Sequence, residues 1–297
     1  MAKILRGMSR DGSARILVID SKDMVNEAHR LHKTAPTSTA ALGRVLSAAS
    51  LMGCMLKEKG NTLSLNFKGD GIAQGIFAVS DYYGNVKGYM VNPSADLPTR
   101  ADGHLDVSGI VGKGTLTVIK DLGLKEPYVG VTDISSGEIA EDITVYFAES
   151  EQIPTVCALG VLVDVDYSCK AAGGVLIQLL PGAEEEIISK IEKNIPSISN
   201  ISRLFEQGLS VREVANIAFA DIPFDVFDIL NPSYVCDCSR ERMEKGLITL
   251  GKQTLMQMIR EQHKIETSCH FCNKKYNFDI DDLLKWSAKG AFKENKK

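Results

Sequence analysis

An excess of charge of either sign is missing from this chain. Lys and Arg number 34 against 38 Asp and Glu, so the formal net charge is −4 and the sequence pI is near 5.8. No global basic field is available to recruit nucleic acid or an anionic membrane surface. A long hydrophobic run is missing too. The longest apolar stretch, Ala40 to Leu56, is broken by Arg44 and several serines, and reads as a buried helix rather than a membrane span. The opening residues, Met1-Ala2-Lys3-Ile4-Leu5-Arg6-Gly7, lack the apolar core of an export signal, which leads us to expect a cytoplasmic protein. Complete phosphate-binding motifs are also lacking. Gly69-Asp70-Gly71 starts like a dinucleotide fingerprint but has no third glycine in place, and reads as a turn. In Gly109-Ile110-Val111-Gly112-Lys113-Gly114-Thr115 a glycine stands where a P-loop needs Ser or Thr directly after the lysine. No nucleotide site is assigned.

What the chain does have is a cysteine pattern. Four of its seven cysteines form two tight pairs in the last quarter: Cys236-Asp237-Cys238, then thirty residues, then Cys269-His270-Phe271-Cys272. Two close pairs on a stretch long enough to fold back supply the two opposite edges of a zinc tetrahedron. Four thiolates close the coordination sphere and leave no place for a water or substrate, so the expected site is one zinc per chain held by Cys236, Cys238, Cys269 and Cys272, with no catalytic residue assigned. His270 and His263 are alternative ligands, but soft thiolates outbid imidazole here. A disulfide framework fits poorly with an odd cysteine count and no sign of an oxidising compartment. The C-x-C half is unusual, because a disulfide between cysteines two apart closes a small, strained ring and is labile. The pattern suggests a site that cycles between zinc thiolates and disulfides. Cys54, Cys157 and Cys169 lie in or near apolar segments and read as core thiols.

Upstream stretches add to the pattern: Pro127-Tyr128, Ser136-Gly137-Glu138-Ile139-Ala140-Glu141-Asp142, Tyr146, Ser150-Glu151-Gln152-Ile153-Pro154, and Gly173-Gly174 through Gln178-Leu179-Leu180-Pro181. With the cysteines, and in this order over nearly the whole chain, they resemble the heat-shock protein 33 family of redox-regulated holdase chaperones. The resemblance implies a non-enzymatic, ATP-independent chaperone, off when reduced and zinc-bound, on when oxidised, with unfolded or oxidatively damaged proteins as partners. It also implies a homodimer in the oxidised form and no nucleotide, nucleic-acid or membrane partner. An oxidant converts a thiolate to sulfenic acid, which condenses with the nearest thiol. Each pair keeps such a partner, so the expected disulfides are Cys236–Cys238 and Cys269–Cys272, with zinc expelled. That the distal pair forms first is implied by the resemblance alone.

The hydrophobic fraction of 44% over 297 residues permits a large core. The periodicities predict an α+β chain: a mixed or antiparallel sheet core with helices in residues 1–180, a metastable helical connector in 181–232, and a small zinc-binding module in 233–297. Met24, Ala28 and Leu31 predict a helix, and a second one runs from near Thr39 to Lys57. Leu63 to Val91 reads as a β-meander, Thr115 to Ile119 as a strand, and Val156 to Val163 and Val175 to Leu180 as interior strands. Glu138, Glu141 and Asp142 are read as a solvated helix start. Ser210-Val211-Arg212-Glu213 is a capping box. The connector, including Ile222 to Leu230, is expected to be helical and to lie against the zinc module, since it carries more apolar surface than a free linker. From it we take Ile187, Ile188, Ile191, Phe205, Phe224 and Phe227 as candidate client-binding residues. The lysine-rich end, Lys293 to Lys297, is read as a frayed tail.

Two other classes compete. A nucleic-acid-binding zinc protein finds a faint hint in Lys274-Lys275-Tyr276, against the acidic net charge. A thiol–disulfide oxidoreductase using Cys269 and Cys272 needs a helix N-terminus beside a βαβ unit, which the local pattern lacks.

Overall fold

Residues 14–20, Ala-Arg-Ile-Leu-Val-Ile-Asp, carry apolar side chains at successive rather than alternate positions, which suits a strand covered on both faces. The computed structural model, which describes residues 1–262 and 264–288, places them so. Contacts divide the chain into two units, Met1–Val235 and Cys236–Lys297.

The first unit runs β1 (Lys3–Ser9), β2 (Ala14–Asp20), α1 (Lys22–His32), α2 (Pro36–Gly53), β3 (Thr62–Gly69), β4 (Ile76–Asp81), β5 (Val86–Met90), α3 (Val107–Val111), β6 (Gly114–Asp121) and β7 (Tyr128–Asp133). It continues with α4 (Ala140–Tyr146), a π-helical turn (Phe147–Glu151), β8 (Thr155–Val163), β9 (Cys169–Leu179), α5 (Glu185–Ile198), α6 (Ile201–Glu206), α7 (Val211–Ala218) and β10 (Phe224–Leu230). Two antiparallel five-stranded sheets result, in the orders β10-β1-β2-β9-β8 and β5-β4-β3-β6-β7. Helix α2 packs against strands of both sheets, and every one of its residues except Pro36 and Arg44 is buried. Its small residues allow this: a Cβ on Gly43 would meet Val161 at 2.8 Å, and one on Gly53 would meet the Asp81 carbonyl at 2.7 Å. Pro36 opens the helix, a position where its missing N–H costs nothing, so the helix begins earlier than the expected Thr39.

The first sheet is the one buried twice. Leu17 and Ile19 of β2 and Leu176 of β9 join the α2 core, whereas Leu5, Ile16, Val18, Val175 and Ile177 face Ile191, Ile198, Ile201, Val211, Val214, Ala215 and Ala218 of α5–α7. The helical part of the expected connector is therefore the outer layer of this sheet, and its buried apolar side chains pack within the first unit. The capping box forms, with the Ser210 N–H donating to Glu213 at 2.8 Å and the Glu213 N–H donating to the Ser210 hydroxyl at 3.3 Å. Residues 224–230, expected as helix, form the edge strand β10. Burial alternates along this strand, but apolar Phe227 and Ile229 stand at exposed positions, so its sequence does not read as alternating; Phe227 is the extra residue of a β-bulge between Arg6↔Asp228 and Gly7↔Val226.

The acidic residues at the start of α4 divide: Glu141 is exposed as expected, whereas Glu138 and Asp142 are structural. Buried Asp142 accepts the backbone N–H groups of Ser135 (2.8 Å), Ser136 (3.0 Å), Gly137 (3.4 Å) and Ile139 (3.1 Å). The last of these holds Ile139 at φ 65°, a conformation that a β-branched residue rarely adopts. Glu138 pairs with Arg44 at 2.6 Å and Arg100 at 2.7 Å. We expect Asp142→Ala to cost about 3–5 kcal/mol, since it leaves buried donors unmet, as measured by denaturant unfolding. An effect below about 1 kcal/mol would show that water replaces the carboxylate. The two glycine-rich stretches meet each other. Asp70 accepts from the Lys113 N–H at 2.7 Å, and a Cβ on Gly71 would lie 2.6 Å from the Val111 carbonyl carbon. Their glycines permit close backbone approach.

The second unit runs α8 (Arg240–Ile248), α9 (Lys252–Gln262), β11 (Ile265–Ser268), β12 (Lys275–Phe278) and α10 (Ile280–Ala288). Its buried core is Leu247, Leu255, Ile265, Tyr276, Phe278, Leu283 and Trp286. His263 and Lys293–Lys297 lie outside the described residues. Among the described residues no helix is long and apolar enough to cross a membrane.

Candidate metal centre

The C-x-C pair lies in the extended segment that leads into α8. Ser239 caps that helix by accepting the Arg242 N–H at 3.2 Å, and Asp237 turns outward to pair with Arg242 at 2.7 Å. The C-x2-C pair sits on the turn joining β11 to β12, which pair from Ile265↔Phe278 to Ser268↔Lys275. That turn is tight. The Cys269 N–H donates to the Lys274 carbonyl at 3.0 Å, the Asn273 N–H donates to the Cys269 carbonyl at 2.8 Å, and Asn273 takes the left-handed φ of 58° that Asn tolerates.

Cap and turn together bring all four sulfurs within 4.8 Å of one another. The Cys236–Cys269 separation is 3.6 Å and the Cys238–Cys272 separation is 3.4 Å. Thiolates on a tetrahedral zinc, with Zn–S near 2.3 Å, stand about 3.8 Å apart, so the donor set needs little adjustment to hold the ion. Cys269 is buried and the other three are half-buried. The Tyr276 hydroxyl lies 3.2 Å from the Cys238 sulfur, a neighbour the cysteine spacing does not reveal. Burial alone would raise the Cys238 thiol, but hydrogen bonds from Tyr276 and the other thiols outweigh it and bring it down to about 7. Burial, with the hydrogen bonds of neighbouring sulfurs, pushes Cys236 and Cys272 up. One thiolate is thus stabilised by its neighbours, and four so close together call for a cation among them.

The other expectations are placed as follows. His270 is exposed and is not a member of the sulfur cluster. Lys274 lies over the Tyr276 ring, Lys275 pairs with Glu266 at 2.8 Å, and Tyr276 is buried, so this stretch offers no open aromatic for base stacking. Cys269 and Cys272 flank a hairpin turn rather than a helix N-terminus. Burial pushes Cys54, Cys157 and Cys169 each up to about 12, far from reactive thiolates. Of the candidate client residues, Ile191 is buried, and Ile187, Phe205 and Phe224 pack half-buried against the outer core of the first sheet. Ile188 is half-buried and Phe227 is 63% exposed.

The model of the family described as Hsp33 protein matches residues 2–279. The chain belongs to the Hsp33 family. It is 47% identical over 282 residues to the 33 kDa chaperonin of Acetivibrio thermocellus, and 44% identical over 282 residues to that of Clostridium botulinum strain 657, covering 95% of each chain in both cases. The crystal structure of the 33 kDa chaperonin from Thermotoga maritima, 37% identical, superposes with a TM-score of 0.90 over 97% of this chain and 99% of that one. Membership supports a chaperone role, and the α+β fold agrees with that structure.

Proposed function

We propose that this chain is a redox-regulated, ATP-independent holdase of the cytoplasm, inactive while reduced and activated by oxidation. In the resting form Cys236, Cys238, Cys269 and Cys272 hold one zinc, which joins the C-x-C segment to the β11–β12 turn. The carrying observation is that these four sulfurs lie within 4.8 Å of one another in a unit whose buried core, among the described residues, is seven apolar or aromatic side chains. So small a core needs a staple. Peroxide oxidises one thiolate of a pair to sulfenic acid; its partner attacks that sulfur, a disulfide forms and water leaves. Repeated at the second pair, this yields Cys236–Cys238 and Cys269–Cys272. Neither disulfide ties the C-x-C segment to the hairpin, so the module loses its staple. Cross-pair disulfides would retain it, which makes peptide mapping of the oxidised protein a direct check.

Loss of the module loosens residues 181–232, the proposed metastable linker, and frees Ile187, Ile188, Ile191, Phe205 and Phe224, beside the already exposed Phe227, for unfolded or oxidatively damaged clients. The oxidised form acts as a homodimer and uses no nucleotide, nucleic acid or membrane. The test is suppression of aggregation of a heat-unfolded protein by zinc-loaded, reduced chain and by peroxide-treated chain. Suppression should follow oxidation and reverse with reductant; equal effect in both states overturns the reading. Replacing Cys54, Cys157 and Cys169 together by alanine should leave the oxidant response unchanged, because their thiols stay protonated. Loss of the response with the fold intact would place the switch elsewhere.

A further inference from the structure

After α7 the chain forms a strap along the edges of both sheets. Its first part, β10, pairs with β1 from Ser9↔Phe224 to Ile4↔Leu230. None of its residues is buried, whereas Ile4 and Leu5 of β1 are fully so. Phe224 and Val226 of β10 pack against the outer core, and Leu230 against the inner one, as half-buried side chains. The backbone ladder and two charge contacts supply the rest. Arg6 donates to Asp228 at 2.8 Å, and Arg10 to Asp225 at 3.3 Å. Arg6 is held independently of β10, because its Nη1 donates to the Cys54 carbonyl at 2.9 Å. Past Leu230 the strap crosses to the second sheet. The Val86 N–H donates to the Ser233 carbonyl at 2.9 Å, the Val235 N–H to the Val86 carbonyl at 2.8 Å, and the Tyr234 hydroxyl to the Gly88 carbonyl at 2.7 Å. The next residue is Cys236.

We propose that the β1 edge beneath β10 is a binding site for an extended segment of an unfolding protein, rich in apolar and acidic residues, which joins the first sheet as a strand where β10 was. This rests on the chaperone reading above and names how a client is held. A vacated β1 edge presents unpaired N–H and C=O groups on a strand kept rigid by β2 and the core, and such an edge recruits strands through main-chain bonds that any sequence can make. Side-chain preference comes from Arg6 and Arg10, which already face two aspartates three residues apart. Gly7 lets the incoming backbone close in, since a Cβ there would stand 2.9 Å from the Asp225 carbonyl oxygen. The strap is therefore a built-in stand-in for the client, released from the end that adjoins Cys236.

The test uses the full chain and a fluorescent peptide with the sequence of residues 224–230, beside a version with lysine for both aspartates. Peroxide-treated chain should bind the first peptide at least about tenfold more tightly than reduced, zinc-loaded chain, and the lysine version at least about tenfold more weakly. Hydrogen exchange of residues 3–9 should rise on oxidation and fall again as peptide binds. Asp225→Lys with Asp228→Lys, which repels β10 from Arg10 and Arg6 and leaves β1 unaltered, should bind the peptide without oxidant, whereas Gly7→Ala should weaken peptide binding by the oxidised chain. Oxidised chain that suppresses aggregation while residues 3–9 stay protected overturns the inference and leaves the chaperone reading standing. Protection of residues 3–9 that returns with protein concentration alone, as the mass doubles, assigns the edge to a second copy's β10 and also overturns it. No oxidation-dependent suppression overturns both.

Discussion

Serine in place of both Cys269 and Cys272 is expected to take the protein from one zinc per chain to none and to melt residues 236–288, with residues 1–180 still folded. A hydroxyl does not ionise to replace a thiolate, so two of four ligands are lost. Structural zinc contributes about 10–16 kcal/mol of apparent binding free energy, as much as the whole stability of many domains. The small core of the second unit, seven side chains among the described residues, offers little to set against such a loss. The core around α2 in the first unit is built separately and needs none of it. The readout is specific: Trp286 is the sole tryptophan, is buried, and packs against Phe278 with ring centroids 5.4 Å apart. Its emission should shift to the red in the double variant and in chelator-treated wild type, while amides of β2, β9 and the second sheet stay protected. Zinc retained at full occupancy, or unshifted emission without zinc, would sink the assignment of metal as staple.

The cysteine cluster was legible because each half of it is local in sequence: two residues apart in one pair, three in the other. What remained hidden was long-range. The Tyr276 hydroxyl reaches Cys238 from 38 residues away, and no spacing rule points to a phenol that biases one thiol of four. Helix α2 was legible as buried because Ala40 to Leu56 is apolar or small around Arg44 and free of proline. The alternating strands of the meander showed themselves by period. Strand β10 did not, since its exposed positions carry apolar Phe227 and Ile229 beside the half-buried Val226 and Leu230 and hide the alternation. Asp142 carried no signal of its own. An acid in the first turn of a helix is ordinary dipole chemistry, and only the folded loop shows it gathering four amides. The covering of residues 185–222 was misplaced for a related reason: amphipathic helices announce an apolar face, but not which surface takes it.

That surface gives the second large expectation. Val214 of α7 is fully buried, in the layer that faces Leu5, Ile16, Val18, Val175 and Ile177. Val214→Asp places a carboxylate against an apolar sheet with no cation designed to meet it, at a cost of several kcal/mol that the helix escapes by leaving. The sheet itself should survive, because Leu17, Ile19 and Leu176 remain anchored on the α2 side. We expect reduced, zinc-loaded Val214→Asp protein to suppress aggregation without oxidant, to a large fraction of the oxidised wild-type level. Residues 185–218 should exchange rapidly while β2 and β9 stay protected. This separates uncovering from global unfolding, in which β2 and β9 would lose protection as well. The outcome that counts against the proposed client surface is a variant whose α5–α7 layer exchanges freely, whose Trp286 emission is unchanged, and which holds no client; binding would then have to reside elsewhere than under these helices.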